Sequence, residues 1–243
     1  MGTLFGASIF FSAFQQSDFF GRLIFLGLFA LSAICWSVLI YKIWLTKNVK
    51  RICHAFQHAV SRHKERILEL ELHTLPKPRR KEIPHPFAHI LGEIAAKTLE
   101  VLNKNLYFQE GKGRAFLTEP DLNLIGSQGL IAISKQKKLL EKSLFVLATT
   151  VTLAPFLGLL GTVWGILLTF THLQSGATFS SNNLILGGLS TALATTVIGL
   201  VIAIPALIAH NYLKNAIRVL SSDMEDFLAS LLSTLEMQYR KVE

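Results

Sequence analysis

From Leu144 to His210 the sequence reads LFVLATTVTLAPFLGLLGTVWGILLTFTHLQSGATFSSNNLILGGLSTALATTVIGLVIAIPALIAH, 67 residues without a single Lys, Arg, Asp or Glu. Charged residues make up 16% of the whole 243-residue chain, so they are far from evenly distributed. A soluble globular fold gives no physical reason for such a gap. A bilayer does, because each charge placed at its centre costs about 2.5 to 3.5 kcal/mol or more.

Three segments of the chain are apolar and long enough to cross a bilayer as helices, which requires about 20 residues. The polar residues of a short turn, 171–183, separate the last two segments and predict that they form an antiparallel hairpin. We therefore expect an all-α membrane protein with three transmembrane helices. The predicted spans are residues 23–44, 144–170 and 184–210.

The basic residues indicate how these spans are oriented. Of the 24 Lys and Arg residues, 18 lie within 47–142 and four in the tail after Asn211, whereas only Arg22 precedes the first span. Since positive charge accumulates on the cytoplasmic side, segment 45–143 and the tail 211–243 are predicted to be cytoplasmic. Segment 1–22 and the turn 171–183 then lie outside. Topology and contact with anionic lipid account for the net charge of +8, and no nucleic-acid binding is expected.

The cytoplasmic parts are predicted to be long helical extensions of the spans. The first helix is expected to continue past residue 47 until the proline-rich linker 76–86, PKPRRKEIPHP, and an amphipathic helix follows from Phe87 to Phe108. Thr118 and Asp121 form a capping-box variant that opens another helix, expected to run unbroken to about Phe170. The third span is expected to continue into the tail, where apolar residues recur every three or four positions: Leu213, Ile217, Leu220, Met224, Phe227 and Leu231.

Small residues line the second and third spans at helical spacing and would allow close helix packing. Two interpretations of the threonines stay open: each hydroxyl donates to a carbonyl of its own helix, or the hydroxyls face a pore or a partner helix. Prolines inside both spans are candidate kink sites. The candidate packing residues are Gly158, Gly161, Gly165, Gly188 and Gly199; the candidate pore-facing or partner-facing residues are Thr162, Thr191, Thr195 and Thr196; the prolines are Pro155 and Pro205.

Two runs of this neutral segment carry a family resemblance: APFLGLLGTVWGILLTF (Ala154 to Phe170) and GGLSTALATTVIGLVIAIPALIAHNYL (Gly187 to Leu213). With the GLLGTVWG core and the ATT-IGL-AIP signature, the chain resembles the MotA/TolQ/ExbB proton-channel family over roughly Leu144 to Tyr239. Three spans fit the TolQ and ExbB branches, and the short amino terminus favours a TolQ-like member. The sequence departs from the family pattern at Thr191, where many members have a glutamate.

The resemblance implies a homopentamer in the bacterial inner membrane, with a central pore lined by the second and third spans and the amino terminus in the periplasm. A single-span partner resembling TolR or ExbD would supply the proton-binding aspartate, and the complex would drive a periplasm-spanning protein resembling TolA or TonB. By motif match, Thr162 and Thr196 would be the pore-facing hydroxyls.

The residues themselves agree with a need for a partner. Proton relay requires titratable groups or ordered water, and the neutral hairpin offers only His172 and His210, one at each end. We therefore expect a transport subunit and not an enzyme, with no catalytic residues, cofactor or metal site. An ExbB-like energiser of nutrient uptake and a non-conducting membrane scaffold are the alternatives.

Overall fold

The computed structural model describes residues 11, 13–15, 17–61, 84–108, 116–174 and 182–240. These ranges include five long α-helices and one isolated parallel bridge between Leu117 and Arg240, and residues 11 and 13–15 are helical as well. Three of the helices, α1, α4 and α5, are long and apolar enough to cross a membrane, which confirms the predicted all-α class with three spans. The helices are α1 (Phe19–Ser61), α2 (Pro86–Phe108), α3 (Glu119–Glu141), α4 (Leu144–Gln174) and α5 (Asn182–Tyr239).

The chain divides into two compact units. The membrane unit consists of Met1–Tyr41 and Ser143–Tyr212, and the helical unit consists of Lys42–Lys142 and Leu213–Glu243. Helix α5 is continuous from Asn182 to Tyr239, as predicted for the third span and the tail.

Helix α1 begins four residues before the predicted start of the first span. Asp18 caps it: the carboxylate accepts hydrogen bonds from the backbone N–H of Gly21 at 3.0 Å and of Phe20 at 3.3 Å. A carboxylate at this position satisfies amides that lack a partner in the helix and interacts favourably with the helix dipole.

The membrane unit buries alanines and a few larger apolar residues between its helices and exposes many other large apolar side chains. Ile24 and Leu28 of α1 form a buried cluster with Ala154 of α4 and Ala203 of α5. Other apolar side chains point away from the unit and are more than half exposed, among them Phe29, Phe145, Phe156, Val201 and Ile208. A surface of this kind suits lipid, where an apolar side chain carries no penalty.

The helical unit has a conventional apolar core. The predicted stripe on the tail is buried throughout, from Leu213 to Leu231. The rings of Phe87 in α2 and Phe227 in α5 stack with their centres 4.7 Å apart, and Phe56 of α1 packs edge-on against Phe227. The predicted face of α2 is buried as well: Ile90, Leu91, Ile94, Thr98 and Leu102.

The expectation of one unbroken helix from Thr118 to the end of the second span is wrong. Helix α3 ends at Glu141, and Ser143, with a φ of 74°, takes a left-handed conformation that interrupts the chain before α4 begins at Leu144. In the helical unit, the buried Lys42 ammonium donates to the Leu140 carbonyl oxygen at 2.9 Å. This satisfies a carbonyl that the helix end leaves without an N–H partner.

Several predicted boundaries differ by a few residues. The first helix extends beyond the span as predicted, but residues 62–83 lie outside the described ranges and with them most of the proline-rich linker. Pro86, assigned to that linker, opens α2 instead. Helices α4 and α5 also extend into the predicted turn, up to Gln174 and from Asn182, and residues 175–181 lie outside the described ranges.

The start of α3 generates a pH-dependent prediction. Thr118 is the N-cap, and the Asp121 carboxylate accepts hydrogen bonds from its backbone N–H at 3.0 Å and from its hydroxyl at 2.7 Å. The Asn105 side-chain amide donates to the same carboxylate at 2.9 Å. Partial burial alone would raise the pKa of Asp121, but these donors outweigh it and hold the pKa below the usual 3.8.

A lowered carboxyl pKa stabilises the folded state above the usual pKa and loses that effect as the pH falls through the folded value. At neutral pH we expect the Thr118 and Leu122 amides to be better protected from hydrogen exchange in the parent protein than the same amides in the Asp121→Asn variant. The difference should shrink as the pH falls below about 4. Glu119→Gln, which removes a charge from the same turn but none of these bonds, should retain the protection. An Asp121→Asn difference that persists unchanged at pH 2 would contradict the assignment.

Candidate functional site

Helices α4 and α5 approach so closely that several glycines leave no space for a side chain. A Cβ added at Gly158 would lie 2.9 Å from the Thr195 carbonyl oxygen and 2.9 Å from the Thr196 Cα. A Cβ at Gly199 would lie 2.6 Å from the Ala154 carbonyl oxygen, and one at Gly165 would lie 2.6 Å from the Ala192 Cβ. Because two of these positions meet backbone atoms, which cannot move aside, the two helices touch backbone to backbone here.

The other two candidate packing glycines face threonines. A Cβ at Gly161 would clash with the Thr195 hydroxyl, and one at Gly188 would lie 2.7 Å from the Thr169 hydroxyl oxygen. All five glycines therefore lie where α4 and α5 meet.

Two threonine hydroxyls of α5 donate to one carbonyl of α4. The Thr196 hydroxyl lies 3.0 Å from the Gly158 carbonyl oxygen, and the Thr195 hydroxyl lies 3.2 Å from the same atom. Thr195 is buried and also lies 2.7 Å from the Ala192 carbonyl oxygen of its own helix, so its single proton is shared between two acceptors. Gly158 exposes this carbonyl because it has no side chain to cover it.

The other two candidate threonines have their shortest hydrogen bonds within their own helices, although the Thr191 hydroxyl also lies 3.5 Å from the Ala13 carbonyl oxygen. The Thr162 hydroxyl donates to the Leu159 carbonyl oxygen at 2.7 Å, and the Thr191 hydroxyl donates to the Gly187 carbonyl oxygen at 2.8 Å. Bonding within the helix therefore holds for Thr162, Thr191 and Thr195, while Thr195 and Thr196 also bond to α4 of the same chain. That these threonines face a pore or a partner helix stays a prediction. Pro155 and Pro205 lie inside α4 and α5, both of which are continuous helices at these positions.

A cavity of about 460 Å³ opens within the membrane unit beside this contact. Its walls come from Ser17, Asp18 and the first turn of α1, from α4 and from α5, and they include Thr191, Thr195 and Trp164. It also has two titratable lining residues, Asp18 and His172. The predicted site between α4 and α5 thus lies beside a cavity that is large enough to hold water and has ionisable groups on its wall.

Asp18 is the functional candidate that sequence reasoning missed. Its carboxylate accepts a hydrogen bond from the Trp164 indole N–H at 3.0 Å, across 146 residues of chain, and the Phe20 and Trp164 ring centres are 4.4 Å apart. An aspartate directly before an apolar helix is a recognisable cap signal. That signal gives no indication of a tryptophan on a different helix.

No metal centre is present among the described residues, where no group of three or more His, Cys, Asp or Glu side chains converges. The His85 ring instead accepts a hydrogen bond from the Ala88 backbone N–H at 3.1 Å, at the start of α2.

Comparison with known proteins places these helices in a family. The model of the MotA/TolQ/ExbB proton channel family matches residues 89–226, which is more than half of the chain. The match includes all of α3 and α4 and most of α2 and α5, and so contains Gly158, Thr195 and Thr196.

Individual relatives match over shorter regions. The chain is 35% identical over 108 residues to the Tol-Pal system protein TolQ of Haemophilus influenzae, covering 44% of this chain and 47% of that protein. It is 40% identical over 89 residues to the biopolymer transport protein ExbB of Aquifex aeolicus, covering 37% of this chain and 60% of the relative. The TolQ of Pseudomonas aeruginosa is 46% identical over 83 residues, which is 33% of this chain and 35% of that protein. The matches therefore span less than two thirds of each relative.

The glycine contact predicts a specific stability change. Gly158→Ala should destabilise the purified protein by about 1 to 3 kcal/mol, because the added methyl group forces the α4 and α5 backbones apart. Titration with a denaturing detergent, followed by circular dichroism, measures this change. Gly27→Ala is the matched control, since a Cβ at Gly27 in α1 of the same unit meets no atom within 4 Å. It should be neutral or stabilising by up to about 1 kcal/mol, and equal effects from the two substitutions would refute the close contact.

Proposed function

Because the chain belongs to the MotA/TolQ/ExbB proton channel family, we propose that it is the channel subunit of an inner-membrane complex that couples proton motive force to work across the cell envelope. Its role is transport and not catalysis. The residues proposed to line the pore or face the partner are Thr162, Thr191, Thr195 and Thr196.

The observation that carries this proposal is the pair of α5 hydroxyls on the Gly158 carbonyl, within residues 144–210, which contain no Lys, Arg, Asp or Glu. A hydroxyl that donates its proton to a carbonyl keeps its lone pairs and can still accept a hydrogen bond from water or a protonated acid. Thr195 and Thr196 can therefore order a proton donor beside them without carrying charge. This is a suitable environment for a proton in transit through a low-dielectric region.

The proton-binding acid is proposed to come from a partner. Residues 144–210 contain no Asp or Glu, so the predicted membrane-spanning parts of α4 and α5 have no carboxylate of their own. A single-span protein resembling TolR or ExbD would place its aspartate against the hydroxyls, at the axis of a homopentamer of this chain. The many exposed apolar side chains of α4 and α5, such as Phe156 and Val201, would then face neighbouring copies, the partner or membrane lipid.

The proposed topology follows from the distribution of basic residues. Of the 24 Lys and Arg residues, 18 lie within 47–142, which places segment 45–143 and the tail 211–243 in the cytoplasm. The amino-terminal segment and the turn at 171–183 then face the periplasm. The bilayer-spanning portions are 23–44, 144–170 and 184–210.

The energised process is proposed to be cell-envelope maintenance through a TolA-like protein. The alternative is TonB-dependent nutrient uptake, because the relatives include both a Tol-Pal system protein and a biopolymer transport protein at 35% and 40% identity. Envelope defects on deletion of the gene, or loss of siderophore-dependent growth, would distinguish the two.

Replacing the threonines by valine tests the channel function. Thr196→Val and Thr162→Val should abolish proton flux through the complex, purified with its partner from its own membrane and measured in proteoliposomes with a pH-sensitive dye. Assembly should remain intact, because a hydrogen bond between membrane helices contributes only about 0.6 kcal/mol on average. Thr196→Ser, which keeps the hydroxyl, should retain flux.

Thr152→Val is the matched control for Thr162→Val, because both threonines lie in α4 and bond to carbonyls of α4, for Thr152 the nearer being Thr149 at 3.0 Å, while Thr152 is outside the four residues proposed to line the pore. Normal flux in the Thr196→Val complex would reject the proposal and favour a non-conducting scaffold. The chain purified without its partner should not conduct, and flux equal to that of the complex would reject the need for an external acid.

A further inference from the structure

The cavity of the membrane unit has one negatively charged wall. Among the described residues that line it, Asp18 is the single carboxylate. Its Oδ1 accepts from the Gly21 N–H, and its Oδ2 accepts from the Trp164 indole and the Phe20 N–H. All three contacts use the side chain as an acceptor, as the ionised form of an aspartate does. Backbone and indole together therefore hold a negative charge in a fixed position on this wall.

The guanidinium of the nearby Arg22 contacts other groups. The Arg22 guanidinium donates to the Gln15 carbonyl oxygen at 3.0 Å and lies 6.0 Å from the centre of the Phe14 ring, and Arg22 is not among the lining residues. His172 lines the same cavity and is the one other titratable side chain among its described walls. The remaining walls are glycines, hydroxyl groups and apolar side chains.

The cavity also reaches the proposed conduction site. Thr195, which shares the Gly158 carbonyl with Thr196, is one of its lining residues, and so are Thr191 and Gly161. A cation that enters beside Asp18 therefore encounters the threonine hydroxyls within the same space.

We propose that this cavity is the entrance through which protons reach the threonines, and that Asp18 acts there as a fixed charge that concentrates small monovalent cations. The inference rests on the proposed channel function and identifies the place where protons enter the channel. A concave, weakly polarisable wall focuses the field of a charge, and such focusing raises local cation concentration and entry rates by about tenfold or more. Asp18 is thus a positioning and attracting residue, while the acid that carries the proton belongs to the partner.

Trp164 provides a direct readout, because its indole touches Asp18 and lines the cavity. The chain has three tryptophans, so the double substitution Trp36→Phe and Trp44→Phe leaves Trp164 as the sole tryptophan, which is excited selectively over tyrosine. At constant ionic strength, its fluorescence is titrated with caesium, iodide and acrylamide, which are cationic, anionic and neutral quenchers. A cation-concentrating cavity gives efficient caesium quenching and weak iodide quenching.

Asp18→Asn should lower the caesium quenching constant severalfold and raise the iodide constant, with acrylamide quenching unchanged. Asp18→Glu keeps the charge and should resemble the parent protein. Asp226→Asn, which removes an exposed acid of the helical unit, is the matched control and should leave all three constants unchanged. Unchanged caesium quenching in Asp18→Asn overturns the proposal. A parallel rise of all three quenching constants also overturns the proposal, because that result would mean that Asp18 has only a structural role as a helix cap.

Proton flux through the complex separates this inference from the channel function itself. Asp18→Asn should slow proton uptake severalfold at low salt. At about 1 M salt the uptake rate of the variant should approach that of the parent complex, because the field of a charge is screened beyond about 3 Å. Thr196→Val should abolish flux at every salt concentration. Flux that is lost in Thr196→Val but normal in Asp18→Asn rejects the entrance alone, whereas absence of flux in the parent complex rejects the channel.

Discussion

The carbonyl oxygen of Gly158 is the atom on which the membrane unit depends. Two α5 hydroxyls, from Thr195 and Thr196, reach it at 3.2 and 3.0 Å, and they do so only because glycines let the α4 and α5 backbones touch. In lipid the hydrophobic effect does not drive helices together, so close packing and hydrogen bonds of this kind must hold the pair. The glycines and threonines therefore act together to hold α4 against α5.

The same contact explains why charge is confined to the edges of the unit. Hydroxyls can bind water or an acid and remain neutral, whereas an unpaired carboxylate inside the bilayer costs several kcal/mol. The acid that the cavity does contain, Asp18, lies just before α1 and is held by three N–H donors. His172 lies in the last turn of α4. The two titratable groups of the cavity thus lie near helix ends, whereas the Thr195 and Thr196 hydroxyls lie in the middle of the third predicted span.

The sequence predicts what depends on periodicity and fails where a contact joins distant residues. Three spans, the buried faces of α2 and α5 and the close-packing glycines follow from spacing and composition, whereas the pore-facing role of Thr162 and Thr196 comes from the family resemblance and stays a prediction. The break at Ser143 does not follow from spacing, because Lys42, 98 residues before Leu140, bonds a carbonyl at the end of α3. The contact between Asp18 and Trp164 joins residues 146 positions apart, and local sequence patterns do not predict it either. Which threonines bond across helices depends on helix rotation, which periodicity leaves undetermined.

Under the proposed function, an acid supplied by a second protein has a physical advantage. A subunit must insert and pack before it meets its partner, and during that interval any acid within its own helix pair would be unpaired in lipid. The threonines avoid this penalty, since each is satisfied by a carbonyl in the isolated chain, Thr162 within α4 and Thr196 on Gly158. Arrival of the partner then adds the ionisable group to hydroxyls that are already oriented. Conduction becomes conditional on assembly, and the unassembled chain does not leak protons across the membrane.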